Sequence, residues 1–171
     1  DVDTGWDVPP GVMHAPASMC TYEPQFASDV YAMYQSVLYF DHVVGEELLW
    51  KNCPEDKRGD FDYLVEVMDW DMNLDPMFYQ NRRMVPLPVD NVDQMKREGY
   101  IDEWICYKCD FLGARRYTVL PGRTVTLKDD VAYGLICIQG FGAINGTELS
   151  SPNMIRFGEL THDEFVVTKE A

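Results

Sequence analysis

The sequence lacks an apolar run near the roughly 18 residues that a membrane span needs. Its longest, residues 131–138, is only strand length. Basic residues are scarce: 14 Lys and Arg stand against 29 Asp and Glu, for a net charge of −15. A polyanion binder needs the opposite sign, which argues against nucleic acid and anionic membrane surfaces as partners. Three histidines leave few imidazoles for metal or acid–base chemistry. Gly140, Gly142 and Gly146 are too sparse for a phosphate cradle, and no Lys-Ser/Thr pair follows them. No nucleophile elbow is present. Asp69, Asp71 and Asp75 lack the central glycine and closing glutamate of a calcium loop, so a solvated loop is expected there. Asp1-Val-Asp-Thr4 has neither the basic start nor the apolar centre of a secretory signal.

Cysteine is present but unpatterned. Five residues, Cys20, Cys53, Cys106, Cys109 and Cys137, make an odd number at irregular spacing. That fits a reduced, cytoplasmic protein better than a disulfide framework. Cys106-Tyr-Lys-Cys109 is a CxxC without the second pair that a four-cysteine zinc site requires. Both of its cysteines are expected as strand residues.

The 171 residues suit one domain or two small ones. At 46% hydrophobic and 25% charged, the composition is that of a globular chain. Its charge is uneven. Residues 1–75 hold 16 acids and three bases; residues 76–171 hold 13 acids and 11 bases. The acidic part presents a solvated face or meets a basic partner.

Residues 19–23 and 30–40 are rich in β-branched and aromatic residues and are expected as strands. Residues 46–50 and 61–70 place apolar side chains near i, i+3 and i+4, which predicts helical turns, with Asp60 as an N-cap. Pro86 and Pro88 preclude helix interior and central strand, so 76–100 is expected as an extended linker. From Tyr100 the pattern is all β. Candidate strands at 103–107, 115–120, 124–127, 132–138, 141–144, 153–157 and 164–168 alternate with turn pairs. Among these, Asn145-Gly146 is the strongest hairpin signal, because a type I′ turn needs positive φ twice. Many short strands at even spacing imply a sandwich or barrel.

Pro9-x-Gly11-x-x-His14 fixes an imidazole on rigid backbone, where a metal ligand has to be held. It resembles the second motif of the cupin barrels, whose histidine binds metal. Pro10-Gly-Val-Met-His-Ala15, then Tyr22-Glu23 and Ala27-Ser-Asp29, resemble the metal-site segment of the type I mannose-6-phosphate isomerases. The region 120–158 resembles that family's second, metal-free barrel.

The resemblance implies a mainly β fold of cupin (double-stranded β-helix, jelly-roll) barrels. Residues 1–40 would be the C-terminal part of a first barrel, 41–99 an acidic helical and proline-containing connection, and 100–171 a near-complete second barrel. It implies His14 as a metal ligand and Glu23, nine residues on, as a catalytic acid, base or orienting group. The metal would be divalent: zinc, with iron or manganese as alternatives. The substrate would be a sugar phosphate such as mannose 6-phosphate. The family's other ligands lie upstream of this histidine, so the chain is expected to be part of a longer bicupin, with the missing N-terminal part, and a second copy in a homodimer, as its protein partners. The family's arginine after the Ser-Asp segment is Met33 here, and the aromatic residue two after the histidine is Pro16. A second reading is therefore a non-catalytic bicupin that binds a sugar or small acid. A third is an iron oxygenase-type cupin. His42 is expected at the surface, and His162 to be without a metal.

Overall fold

A computed structural model of the chain describes residues 3–16, 19–28, 30–38 and 41–170. The fold is mainly β, built from small antiparallel sheets, and divides into two units, Asp1–Thr124 and Val125–Ala171. The sheets have two or three strands, and none closes into a barrel among the described residues.

In chain order the first unit contains strands β1 (Gly5–Trp6), β2 (Val37–Leu38) and β3 (His42–Val43). Two 3-10 turns follow, Glu46–Leu48 and Glu55–Lys57. Next come helices α1 (Phe61–Glu66), α2 (Trp70–Asn73) and α3 (Phe78–Arg82). Strands β4 (Arg83–Met84) and β5 (Leu87–Pro88), helix α4 (Val92–Glu98), and strands β6 (Tyr100–Cys106) and β7 (Ala114–Val119) complete it. The helices are short, and three of the four carry side-chain caps. Asp60 Oδ1 accepts from Tyr63 N at 3.1 Å, Asp69 Oδ1 from Met72 N at 2.8 Å, and Asn91 Oδ1 from Gln94 N at 3.0 Å. Each satisfies an N–H that the helix leaves unpaired. Helix α4 ends at Gly99, whose φ of 102° is the left-handed conformation of a helix stop.

Sheet β5-β6-β7 is antiparallel, with Trp104 opposite Arg115 and Asp102 opposite Tyr117. The alternation along β6 turns Asp102 inward, to 2% exposure. Burying a carboxylate alone is costly. Here both oxygens are taken by the Arg115 guanidinium, through Nε at 3.0 Å and through Nη2. The guanidinium also lies over the rings of Trp104 and Tyr117, at 5.4 and 5.0 Å from their centroids. The buried apolar residues among those described are Val12, Trp50, Leu64, Met84 and Met95, all in this unit.

The second unit holds two two-stranded antiparallel sheets, of which one is a hairpin. Strand β8 (Tyr133–Ile136) pairs with β11 (Glu164–Val167), and β9 (Gly140–Ile144) pairs with β10 (Thr147–Ser151). The β9–β10 turn is the expected Asn145-Gly146, with φ of 46° and 80°. No described residue of this unit is buried, and Phe141 and Phe157 are essentially fully exposed.

Several local expectations differ from the structure. Residues 19–23 form no strand, and within 30–38 only Val37–Leu38 pairs; Tyr39 and Phe40 lie outside the described residues. Pro24, directly after 19–23, has no backbone N–H to extend a ladder, and no described strand pairs with that stretch. The 76–100 stretch is not simply extended: it holds α3 and α4. Asn91, then Val92 and Met95 three apart, then Gly99, is a complete helix signal that the neighbouring prolines obscure. Residues 124–127 and 153–157 form no strands. Sheet β5-β6-β7 belongs to the first unit, so the observed division falls after Thr124 rather than at residues 40 and 99.

Replacing Asp102 by Ala removes the carboxylate that takes the Arg115 guanidinium through two nitrogens. We expect a loss of about 2–3 kcal/mol, at or below the low end of the range for breaking a buried pair because Arg115 is a quarter exposed. The midpoint of urea unfolding reads it.

Candidate metal-ligand site

The segment around His14 is shaped by its Pro9-Pro10-Gly11 corner. Val12 N donates back to Pro9 O at 3.3 Å, and Gly11 adopts φ +82°. That conformation favours glycine. A second constraint is spatial: a Cβ at residue 11 would lie 2.9 Å from Asp69 N and 3.1 Å from Asp69 Cβ. The corner docks on the start of α2. Gly11 O accepts from Asp69 N at 3.1 Å and from Asn73 Nδ2 at 2.7 Å. Asn73 Oδ1 accepts from Met13 N at 2.9 Å. Asn73 thus grips the strap on both sides of Val12, whose side chain is buried.

His14 follows this clamp and is exposed. Its Nδ1 lies 3.0 Å from Val12 O. A carbonyl only accepts, so this hydrogen bond places a proton on Nδ1, which in the uncharged tautomer leaves the lone pair on Nε2. Nε2 has no partner among the described residues. One nitrogen is thus tied to backbone and the other is open, as a metal ligand would require.

Glu23 is also exposed, and its Oε1 accepts from Thr21 Oγ1 at 2.7 Å. No hydrogen bond joins Glu23 to His14. Ser28 Oγ accepts from Val30 N at 3.4 Å, and Asp29 lies outside the described residues. Met33, at the position of the family arginine, is half-buried, and its backbone N–H donates to Leu48 O at 3.2 Å. His42 is exposed on β3. His162 is half-buried, and its carbonyl accepts from Ser150 N at 2.8 Å.

A catalytic metal centre takes about three protein donors. Among the described residues no group of three His, Cys, Asp or Glu side chains converges. The described residues therefore supply no complete donor set around His14. The acidic 69–75 stretch is not the expected solvated loop. Asp69 caps α2, and Asp75 accepts from Met77 N at 2.7 Å and Asn81 Nδ2 at 2.8 Å. Asp69 and Asn73 are the positioning residues that sequence reasoning missed. An N-cap aspartate opening a short helix was their only local sign.

The CxxC also differs from expectation. Cys106 ends β6, but Cys109 lies in the bend beyond it. Burial pushes the Cys106 thiol up from its ordinary pKa, with the nearby Cys109 and Asp7 adding to the shift. Burial likewise raises Cys137, against a hydrogen bond from the Gln139 backbone. No cysteine is disulfide-bonded.

Fold and site together define a mainly β protein with a backbone-anchored, outward-facing histidine. No family model, curated protein or solved structure matches the chain. No helix among the described residues is long and apolar enough to cross a membrane.

Two outcomes follow from this geometry. Asn73→Ala removes the grip on Gly11 and Met13 and should cost about 1–2 kcal/mol. It should also loosen the His14 tautomer, seen as averaging of the imidazole nitrogen shifts in NMR. For the thiols, a raised pKa leaves less thiolate at pH 8 in the folded than in the unfolded chain. Iodoacetamide should therefore label exposed Cys20 before Cys106 and Cys137, and the difference should vanish in denaturant.

Proposed function

We propose that the protein is a mannose-6-phosphate isomerase-like bicupin, a metal-dependent aldose–ketose isomerase acting on a sugar phosphate. The observation that carries this reading is the held His14 ring, with Nδ1 tied to Val12 O and Nε2 open. The imidazole is one ligand to a divalent ion, zinc in the first instance and iron or manganese as alternatives. The remaining donors lie outside the described residues. Glu23 is the candidate acid, base or orienting group for moving a proton between C1 and C2 of the open-chain sugar. Both are exposed, which leaves them open to ligand and to further protein.

Met33 favours a second reading. A thioether where the family has an arginine can neither hold a phosphate nor steady an enediolate. On this reading the protein binds a sugar or small acid without turning it over.

The two are separated by proton exchange. Mannose 6-phosphate incubated with the protein and divalent metal in heavy water should acquire deuterium at C2, and His14→Ala should abolish both exchange and retained metal. Metal retained without exchange supports the binding reading. Metal content unchanged by His14→Ala overturns both.

A further inference from the structure

Residues 1–75 contain only three bases, Lys51, Lys57 and Arg58, among 16 acids. In so acidic a segment each cation is expected to meet a carboxylate. Lys57 does, at 3.7 Å from Asp60. The other two do not. Lys51 Nζ donates to the Tyr31 hydroxyl at 3.2 Å and lies over that ring, 4.6 Å from its centroid. The Arg58 guanidinium has no hydrogen-bond or ion-pair partner among the described residues.

Both of these cations line one open cavity of about 510 Å³. Glu47, Leu48 and Trp50 complete it. The size falls within the range of about 300–1,000 Å³ typical of small-molecule sites. Trp50 is 8% exposed and forms a fixed floor. Its ring packs edge-on against Phe61 at 5.2 Å, and its Nε1 donates to Glu46 Oε1 at 3.0 Å. The rigid part of the cavity is thus apolar, and its charged groups sit around it.

We propose that this cavity binds a small phosphomonoester of a polyol. Arg58 and Lys51 hold the phosphate: a guanidinium suits two phosphate oxygens at once, and an ammonium adds a point charge. The C–H face of the polyol lies on Trp50 and Leu48. Glu47 accepts from its hydroxyls. A simple anion would use only the cations, and a neutral sugar only the floor and Glu47. The surrounding acidic residues repel anions in general, so binding depends on these two local cations. The choice of a sugar phosphate as probe rests on the function proposed above; the site itself does not.

The test is calorimetric titration of the full chain with mannose 6-phosphate, mannose and inorganic phosphate, with tryptophan fluorescence as a second signal. Mannose 6-phosphate should bind tightest. Arg58→Ala should weaken it at least about tenfold, Lys51→Ala should weaken it measurably, and Arg58→Lys should restore part of the loss. Both side chains are exposed, so circular dichroism of the variants should match the parent. Absence of mannose 6-phosphate binding, or parental affinity in both alanine variants, overturns the proposal. Binding that depends on Arg58 but gives no deuterium exchange sustains the site and sinks the isomerase reading alone.

Discussion

The docking of the Pro9-Pro10-Gly11 corner on the first turn of α2 is the contact on which the functional surface depends. It joins residues some 60 apart in sequence through three hydrogen bonds and one close approach. The same aspartate that caps α2 also donates its backbone N–H to Gly11 O. Cap and clamp are therefore one unit: the helix start cannot shift without moving the strap. The strap in turn holds His14, because the ring is hydrogen-bonded to the carbonyl of Val12, the one residue of the strap that reaches the core.

Charge is handled differently in different parts of the first unit. In sheet β5-β6-β7 the acids and bases are matched in register. Asp102 meets Arg115, and Glu103 meets Arg116 at 2.8 Å, as cross-strand pairs on opposite faces of adjacent strands. Such pairing fixes strand register, because a one-residue slip would put each carboxylate against the wrong face. Around residues 46–58 the charges are not matched in this way. Helical turns there are too short to offer a regular i, i+4 ladder. Lys51 turns to an aromatic ring instead, and Arg58 to open space.

The second unit pairs its strands in register without burying any described residue. On β8 and β11 the half-buried residues Tyr133, Leu135, Phe165 and Val167 alternate with the exposed Gly134, Ile136, Glu164 and Val166. Two-stranded ribbons are marginal without a face to pack on. The alternation shows which face each strand turns inward, while the large side chains elsewhere, Phe141, Ile155, Phe157 and Leu160, remain uncovered.

The sequence alone determined the local features that depend on a few adjacent residues. The all-β pattern after Tyr100, the Asn145-Gly146 hairpin, the Asp60 cap and the helical turns near 46 and 61 were legible, since caps and turns are set by side chains acting on their own backbone. The strand expectation at 19–23 and the linker expectation at 76–100 failed where pairing partners or competing signals mattered. Tertiary structure alone decided that Asp69 and Asn73 hold the histidine strap, that Asp102 is buried against Arg115, and that Lys51 and Arg58 share a cavity. Each of these brings together groups far apart in the chain or on neighbouring strands. Their meeting depends on register and packing, which no window of consecutive residues encodes.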